Sequence, residues 1–454
     1  MEQQDKNIVA AIDVGTTKVV VLVGRKSEDG AIEIIGYGRT ESKGVRRGAV
    51  LNIELTIDAI KTAVAKAEET SGYKITEAYI GIAGQHIRSQ RFTQTLNRNS
   101  QSEPISEGDI QDLINQMRDV PTEMGEEVLH ILPQSYKVDN ENEITNPIGI
   151  SGKQISGDYH IVFGQTAAAN NLRRCVEKNG ITVKRLILEP LASATAVLTP
   201  DDKELGVALV DIGGGTTDLA IFKDSQIFHT EVIPVGGNII TSDIKEGCGI
   251  LERLAENLKV QYGAAIPTPD MVNKAVSIPG SSGLKSKEIS LTTLANIINA
   301  RVDEIIATIK FHLDASGANK KLGGGIVITG GGAMLRHLVQ LFAARTGYEI
   351  RIGIPNQRII SKIESVTTLP SNSTSIGLLK MALDNSLIDG MSVEFKKQDA
   401  EEPKVEEKVA DEDNFVDDLK ENRKSEKKGS NLEKIQKKVG SVLNWFTDDV
   451  DDEY

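Results

Sequence analysis

Residues Ile8–Gly24 read Ile-Val-Ala-Ala-Ile-Asp-Val-Gly-Thr-Thr-Lys-Val-Val-Val-Leu-Val-Gly, and residues Gly206–Phe222 read Gly-Val-Ala-Leu-Val-Asp-Ile-Gly-Gly-Gly-Thr-Thr-Asp-Leu-Ala-Ile-Phe. In each, an apolar strand runs into Asp-x-Gly-x-Thr-Thr and returns as a second apolar strand. That pattern predicts a β-hairpin with glycine where the backbone must approach a ligand closely. Hydroxyls and amides stand where phosphate oxygens need donors. The Asp that ends each first strand suits a hydrated divalent cation. Two such hairpins, about 200 residues apart, predict two related halves that clasp one nucleotide.

The first turn offers Asp13, Gly15, Thr16, Thr17 and Lys18, the last a cation for phosphate charge. The second offers Asp211, Gly213, Gly214, Gly215, Thr216 and Thr217. Asp211 is the first choice for the metal, Mg²⁺ held through water, with Asp13 the second. Between the hairpins, Arg185–Ala194 reads as a strand feeding a helix, with Glu189 at the junction. Glu189 either orients a metal-bound water for attack on a terminal phosphate or is a helix-starting carboxylate favoured by the helix dipole. Gly236 and Gly237 form a turn entering a helix, suited to nucleoside or phosphate contact. Glu256 and Lys259, one helical turn apart, could meet a ribose and an adenine, or form a surface ion pair. Gly330, Gly331 and Gly332 end a buried strand, Ile326–Thr329, and read as a turn opening a helix and a second adenosine clamp.

At 454 residues with 39% apolar content, the chain predicts a globular body of two to four subdomains. Its net charge of −13 argues against a nucleic-acid partner, whose footprint would be basic. Cys175 and Cys248 give neither metal spacing nor a disulfide framework. No apolar signal core opens the sequence and no run reaches membrane-spanning length, so a cytoplasmic protein is expected. Residues 396–430 are dense in Glu, Asp and Lys and predict a disordered linker. Residues 431–447 turn apolar again at helical spacing: Leu432, Ile435, Val439, Val442, Leu443 and Phe446 share one face, Lys434, Lys437 and Lys438 lie on or beside the other, and Trp445 sits at the rim. Such a helix suits an anionic membrane surface better than a protein groove, because lysines meet headgroups and Trp suits the interface.

The chain resembles the FtsA family of bacterial cell-division proteins, within the actin-like ATPase superfamily. Four features carry the likeness: Gly36-Tyr-Gly with Gly44-Val-Arg46-x-Gly48-x-Val50; Ile80-Gly-Ile-Ala-Gly84-Gln-His86-Ile87; Leu129-His130-Ile-Leu-Pro133-x-x-Tyr136-x-Val-Asp139 followed by Asn146-Pro147-x-Gly149; and the terminal amphipathic helix behind its linker. The segment around Ser89-Gln90-Arg91-Phe92 departs from the family by lacking a small glycine-containing turn. The resemblance implies an α/β, two-lobed actin-like ATPase fold. Subdomain 1A would comprise residues 1–84, 165–200 and 359–395, with subdomain 1C inserted at 85–164. Subdomain 2A would comprise 201–233 and 306–358, with 2B at 234–305. It implies ATP and Mg²⁺ in the cleft with at most weak ATPase activity, actin-like self-assembly on the inner face of the membrane at the septum, anchoring of the FtsZ ring, and recruitment of later division proteins. Arg301, on a helix predicted over Leu291–Leu313, would receive the partly acidic FtsZ C-terminal peptide, or else be a solvated helix residue. A small-molecule kinase of the same superfamily is the competing reading, and a pilus-assembly ATPase resembling PilM a third; neither needs the terminal helix.

Overall fold

The computed structural model describes residues 8–99, 102–279, 286–318, 322–355 and 359–384. The expected linker 396–430, the helix expected over 431–447 with the residues expected to face a membrane, and residues 385–395 of the expected third 1A segment lie outside the described residues.

Alternating and continuous apolar runs build two sheets of the same plan. In the first, Ile8–Val14, Lys18–Lys26 and Ile32–Glu41 form an antiparallel meander. Glu77–Ile82 and then Thr182–Leu188 add in parallel beside Ile8–Val14, and Ile359–Ser361 closes the other edge. In the second, Val207–Ile212, Thr217–Lys223 and Gln226–Ile233 repeat the meander. Ile326–Thr329 and Ile350–Ile352 add in parallel beside Val207–Ile212. The internal repeat expected from the two hairpins is therefore a repeat of whole sheets. Strand residues such as Ala11, Ile12, Val20, Leu209 and Val210 are buried on both faces, as sheets covered by helices on either side require.

Two helices fill the space between the sheets. Glu189–Val197 carries Pro190 in its first turn, where a missing amide is harmless. Ser373–Leu383 packs across it. A Cβ on Gly377 would come within 1.8 Å of the Ala192 carbonyl, so only glycine lets the two backbones touch. One continuous core spans this junction, from Leu22 and Ile34 through Leu191, Val197, Ile376 and Leu379 to Leu209 and Phe222.

A four-stranded antiparallel sheet is inserted after Glu77–Ile82, in the order Ile87–Asn97, Gln154–Gln165, Glu126–Val138, Glu141–Ile144. The helix Glu107–Arg118, capped by Ser106 and Asp109, covers it with Leu113 and Met117 against Tyr159 and Phe163. The departure noted at residues 89–92 has its reason here. Ser89–Phe92 pair with Tyr159–Val162 in an unbroken strand, where no turn is formed. Inserted residues also bond the edge strand of the second sheet. Ser89 donates to the Thr230 carbonyl at 3.0 Å, and Gln134 to those of Ile227 and Phe228 at 2.9 and 3.1 Å. The helix expected over Leu291–Leu313 extends to Ala315 and runs unbroken through residues 305 and 306, where a boundary between 2B and 2A was drawn.

Candidate nucleotide site

Both hairpin turns are built alike. The Gly15 amide donates to the Lys18 carbonyl at 3.0 Å, and the Gly213 amide to the Thr216 carbonyl at 2.9 Å. The turns meet face to face: a Cβ on Gly214 would lie 2.3 Å from Thr17 Cγ2, and one on Gly215 2.6 Å from Thr16 Oγ1. A third turn stacks on the second. The amides of Gly237 and Asn238 donate to the carbonyls of Gly213 and Gly214 at 2.9 and 2.8 Å, and a Cβ on Gly236 would meet Gly213 O at 2.7 Å. Gly237 starts the helix Gly237–Cys248.

Glu256 and Lys259 lie on the helix Glu252–Tyr262 and are paired at 2.7 Å. Lys259 also donates to Gly237 O at 2.9 Å and to Thr241 Oγ1 at 2.7 Å. The pair thus ties its helix to the Gly236–Gly237 turn. Gly330, at φ 85°, lies against Asp211, where a Cβ would be 2.2 Å from Oδ1; Gly331 has no atom within 4 Å of its Cβ direction, and Gly332 packs on Ile212. The turn after Thr329 opens a 3-10 turn, Gly331–Met334, and the α-helix begins only at Leu338.

Four carboxylates converge behind the turns: Asp13 and Asp211 at the strand ends, Glu189 at its helix start, and Asp218. Asp218 was not among the residues expected to act. It stands directly across the ladder from Asp211, is buried, and among the described residues its Oδ1 has no hydrogen-bond partner. At the matching place of the first hairpin, Asp13 faces Val20, so the second hairpin carries the extra charge. Burial, reinforced by the neighbouring carboxylates, pushes Asp218 and Glu189 well above the usual carboxylate range. Burial raises Asp13 from 3.8 to about 6 against the opposing pull of Lys18. Asp211 is raised by burial and held down by hydroxyls: Ser193 Oγ at 2.6 Å and Thr374 Oγ1 at 3.1 Å both donate to its Oδ2. Among the described residues no three carboxylate, imidazole or thiol groups are placed to ligate one ion directly.

Lys18 donates to the Ser371 carbonyl and, at 3.3 Å, to Asn372 Oδ1. Burial and Arg39 lower its affinity for a proton, while Asp13 raises it. The segment Ser371–Thr374 was also not anticipated, and it contributes to both the lysine and the aspartate. Thr217 is fully buried and its hydroxyl donates to the Val235 carbonyl at 2.8 Å, which leaves Thr16, Thr17 and Thr216 as the hydroxyls of the turns. Arg301 lies apart from this cluster. Its guanidinium grips Asp243 at 2.6 and 3.0 Å and also pairs with Glu304, bracing Leu291–Ala315 against Gly237–Cys248.

Comparison with known proteins bears on this arrangement. A family described as "Cell division protein FtsA" matches residues 208–377, and "SHS2 domain inserted in FTSA" matches residues 84–163. The cell division protein FtsA of Pseudomonas aeruginosa is 35% identical over 88% of this chain and 96% of its own. The chain belongs to the FtsA family. It is thereby a cell-division protein, and the FtsA fold it shares is actin-like. The PilM–PilN type IV pilus biogenesis complex aligns with TM-score 0.61 at 13% identity, covering 83% of this chain and 98% of that one. MreB5 of Spiroplasma citri bound to ADP aligns with TM-score 0.51 at 15% identity, covering 84% and 97%. The inserted four-stranded sheet of this FtsA relative falls within the SHS2 match save for the last two residues of Gln154–Gln165. Among the described residues no helix is long and apolar enough to cross a membrane.

Proposed function

We propose that the two hairpins hold ATP with Mg²⁺, and that the protein uses this state to assemble into actin-like filaments on the inner face of the membrane at the septum. The carrying observation is the pairing of two glycine turns of like geometry with three buried carboxylates, Asp13, Asp211 and Asp218, and a half-buried fourth, Glu189; among the described residues one Asp218 oxygen has no hydrogen-bond partner. A buried carboxylate without a partner is costly, and a hydrated cation relieves that cost. Asp211 and Asp13 would hold Mg²⁺ through water, and Asp218 joins them. Gly15, Thr16, Thr17, Lys18 and residues 213–216 would supply donors to phosphate oxygens. Gly236, Gly237, Glu256, Lys259 and residues 330–332 would border the nucleoside. Glu189, its proton held tightly by burial, would orient water as a weak catalytic group, so any ATPase activity would be slow. The cation supplies charge neutralisation at the phosphates; the chain supplies amides, one ammonium and the exclusion of water. The hairpin turns touch, so the lobes must part to admit the nucleotide.

The subdomain plan given above is part of the proposal. So is membrane anchoring by the helix 431–447, recruitment of later division proteins and tethering of the FtsZ ring through its C-terminal peptide on the face that carries Arg301. Arg301 already holds Asp243 and Glu304, so a peptide carboxylate must share it with them. The test is co-sedimentation with anionic vesicles in Mg·ATP. The full chain should sediment and form filaments. Trp445→Asp with Phe446→Asp should release it at the same salt. Undiminished sedimentation of that variant would refute the anchor, and a wild-type chain that forms no filaments on vesicles would refute the assembly.

A further inference from the structure

The small hairpin that precedes the helix Ile53–Ser71 has no role in the account above, yet it touches both phosphate turns. Its strands pair Val45 with Val50 and Arg46 with Ala49. Arg47 and Gly48 form the two-residue turn, with φ 50° and 76°, the geometry of a type I′ hairpin. Glycine is required at 48, where a Cβ would lie 2.3 Å from the Ala83 carbonyl. Nothing in the backbone calls for arginine at 47; Asn or Gly would adopt that conformation with less strain.

On one side the Gly48 amide donates to Thr16 Oγ1 at 3.4 Å, and a Cβ on Gly215 would lie 3.0 Å from the Arg47 nitrogen. The tip therefore lies at the seam where the first and second turns meet. On its other side a Cβ on Gly84 would lie 3.0 Å from the Arg47 carbonyl; Gly84 begins the residues matched as the inserted domain. Arg46 and Arg47 are both exposed, and neither side chain makes a hydrogen bond or ion pair among the described residues. The turns themselves bear a single cation, Lys18, already bonded to Ser371 and Asn372, against four carboxylates. Mg·ATP carries one more negative charge than Mg·ADP, and that charge lies on the terminal phosphate.

We infer that Arg46 and Arg47 distinguish ATP from ADP. Their guanidinium groups meet the terminal phosphate at the seam of the two turns, as planar donors that match its oxygens. Because the same turn backs onto Gly84, the presence of that phosphate is felt where the first sheet passes into the inserted one. The inference rests on the nucleotide reading above.

The experiment titrates the full chain with ATP and with ADP separately, in excess Mg²⁺, by calorimetry. Arg47→Gly removes the guanidinium and relieves the left-handed backbone, so loss of fold is not a concern; Arg46→Ala with Arg47→Gly removes both charges, and Arg47→Lys keeps both charges but replaces the planar donor at 47. The double variant should lose tenfold or more in ATP affinity while ADP affinity stays within about twofold, and Arg47→Lys should retain part of the preference. Amide exchange over Ala83–Ile87 should differ between the ATP and ADP states of the wild type and not of the double variant. Equal losses for both nucleotides, or no loss for either, would overturn the inference and leave the nucleotide reading standing. A wild-type chain that binds neither nucleotide would overturn both.

Discussion

Without metal, the Asp13 carboxylate should make the protein less stable as pH rises, opposite to the trend for salt-bridged carboxylates. Asp13 holds its proton up to about pH 6 in the folded chain, against 3.8 ordinarily. Between those values the unfolded chain has released a proton that the native chain retains. Stability falls with rising pH wherever the native state binds more protons. Well above both values the loss amounts to about 3 kcal/mol for this one group, at 1.36 kcal/mol per pH unit of displacement. Asp218 and Glu189 are displaced the same way and steepen the fall. Urea denaturation in EDTA, from pH 4 to pH 7, of the wild type and Asp13→Asn isolates the term. The variant should match the wild type at pH 4 and exceed it at pH 7 by about 2–3 kcal/mol. Parallel profiles for the two proteins would refute the reasoning, since they would mean that Asp13 titrates alike in both states.

Gly236→Ala should keep the fold, since the backbone there is extended, but must push the Gly213–Gly214 backbone aside. Losing the two amide bonds from Gly237 and Asn238, each about 1 kcal/mol, should lower stability in urea by about 2 kcal/mol and weaken nucleotide binding in calorimetry. Gly331→Ala meets no protein atom. It should leave the thermal midpoint unchanged and alter affinity only if nucleotide lies against it; a lowered midpoint would contradict that geometry. Arg301→Glu sets three acids together with Asp243 and Glu304 and should cost about 2 kcal/mol in urea midpoints. It should also weaken FtsZ-peptide binding in anisotropy titrations while nucleotide affinity stays unchanged. Equal peptide affinity would refute the docking role.

The two hairpins were legible because apolar runs around Asp-x-Gly admit few other readings, and the repeat of whole sheets follows from them. Asp218 closes the second motif in plain sight. Its weight appears only when the ladder sets it across from Asp211, a pairing that depends on turn length. Ser371–Thr374 read as an ordinary polar run before a helix; the fold brings it to residues more than 150 positions away. Thr217 looked equivalent to Thr216, but strand alternation turns it toward Val235. Glu256 and Lys259 were visible as a pair, and whether they face solvent or the Gly236–Gly237 turn is a matter of tertiary packing.

If the carboxylates behind the two turns hold a metal-bound nucleotide, binding must depend on Asp211. Calorimetric titration of Mg·ATP into the wild type and Asp211→Ala, each first shown to be folded, tests it most directly. The wild type should bind clearly, dependent on Mg²⁺, and the variant should lose tenfold or more, equivalent to at least about 1.4 kcal/mol. A folded Asp211→Ala protein that binds Mg·ATP as tightly as the wild type would contradict it.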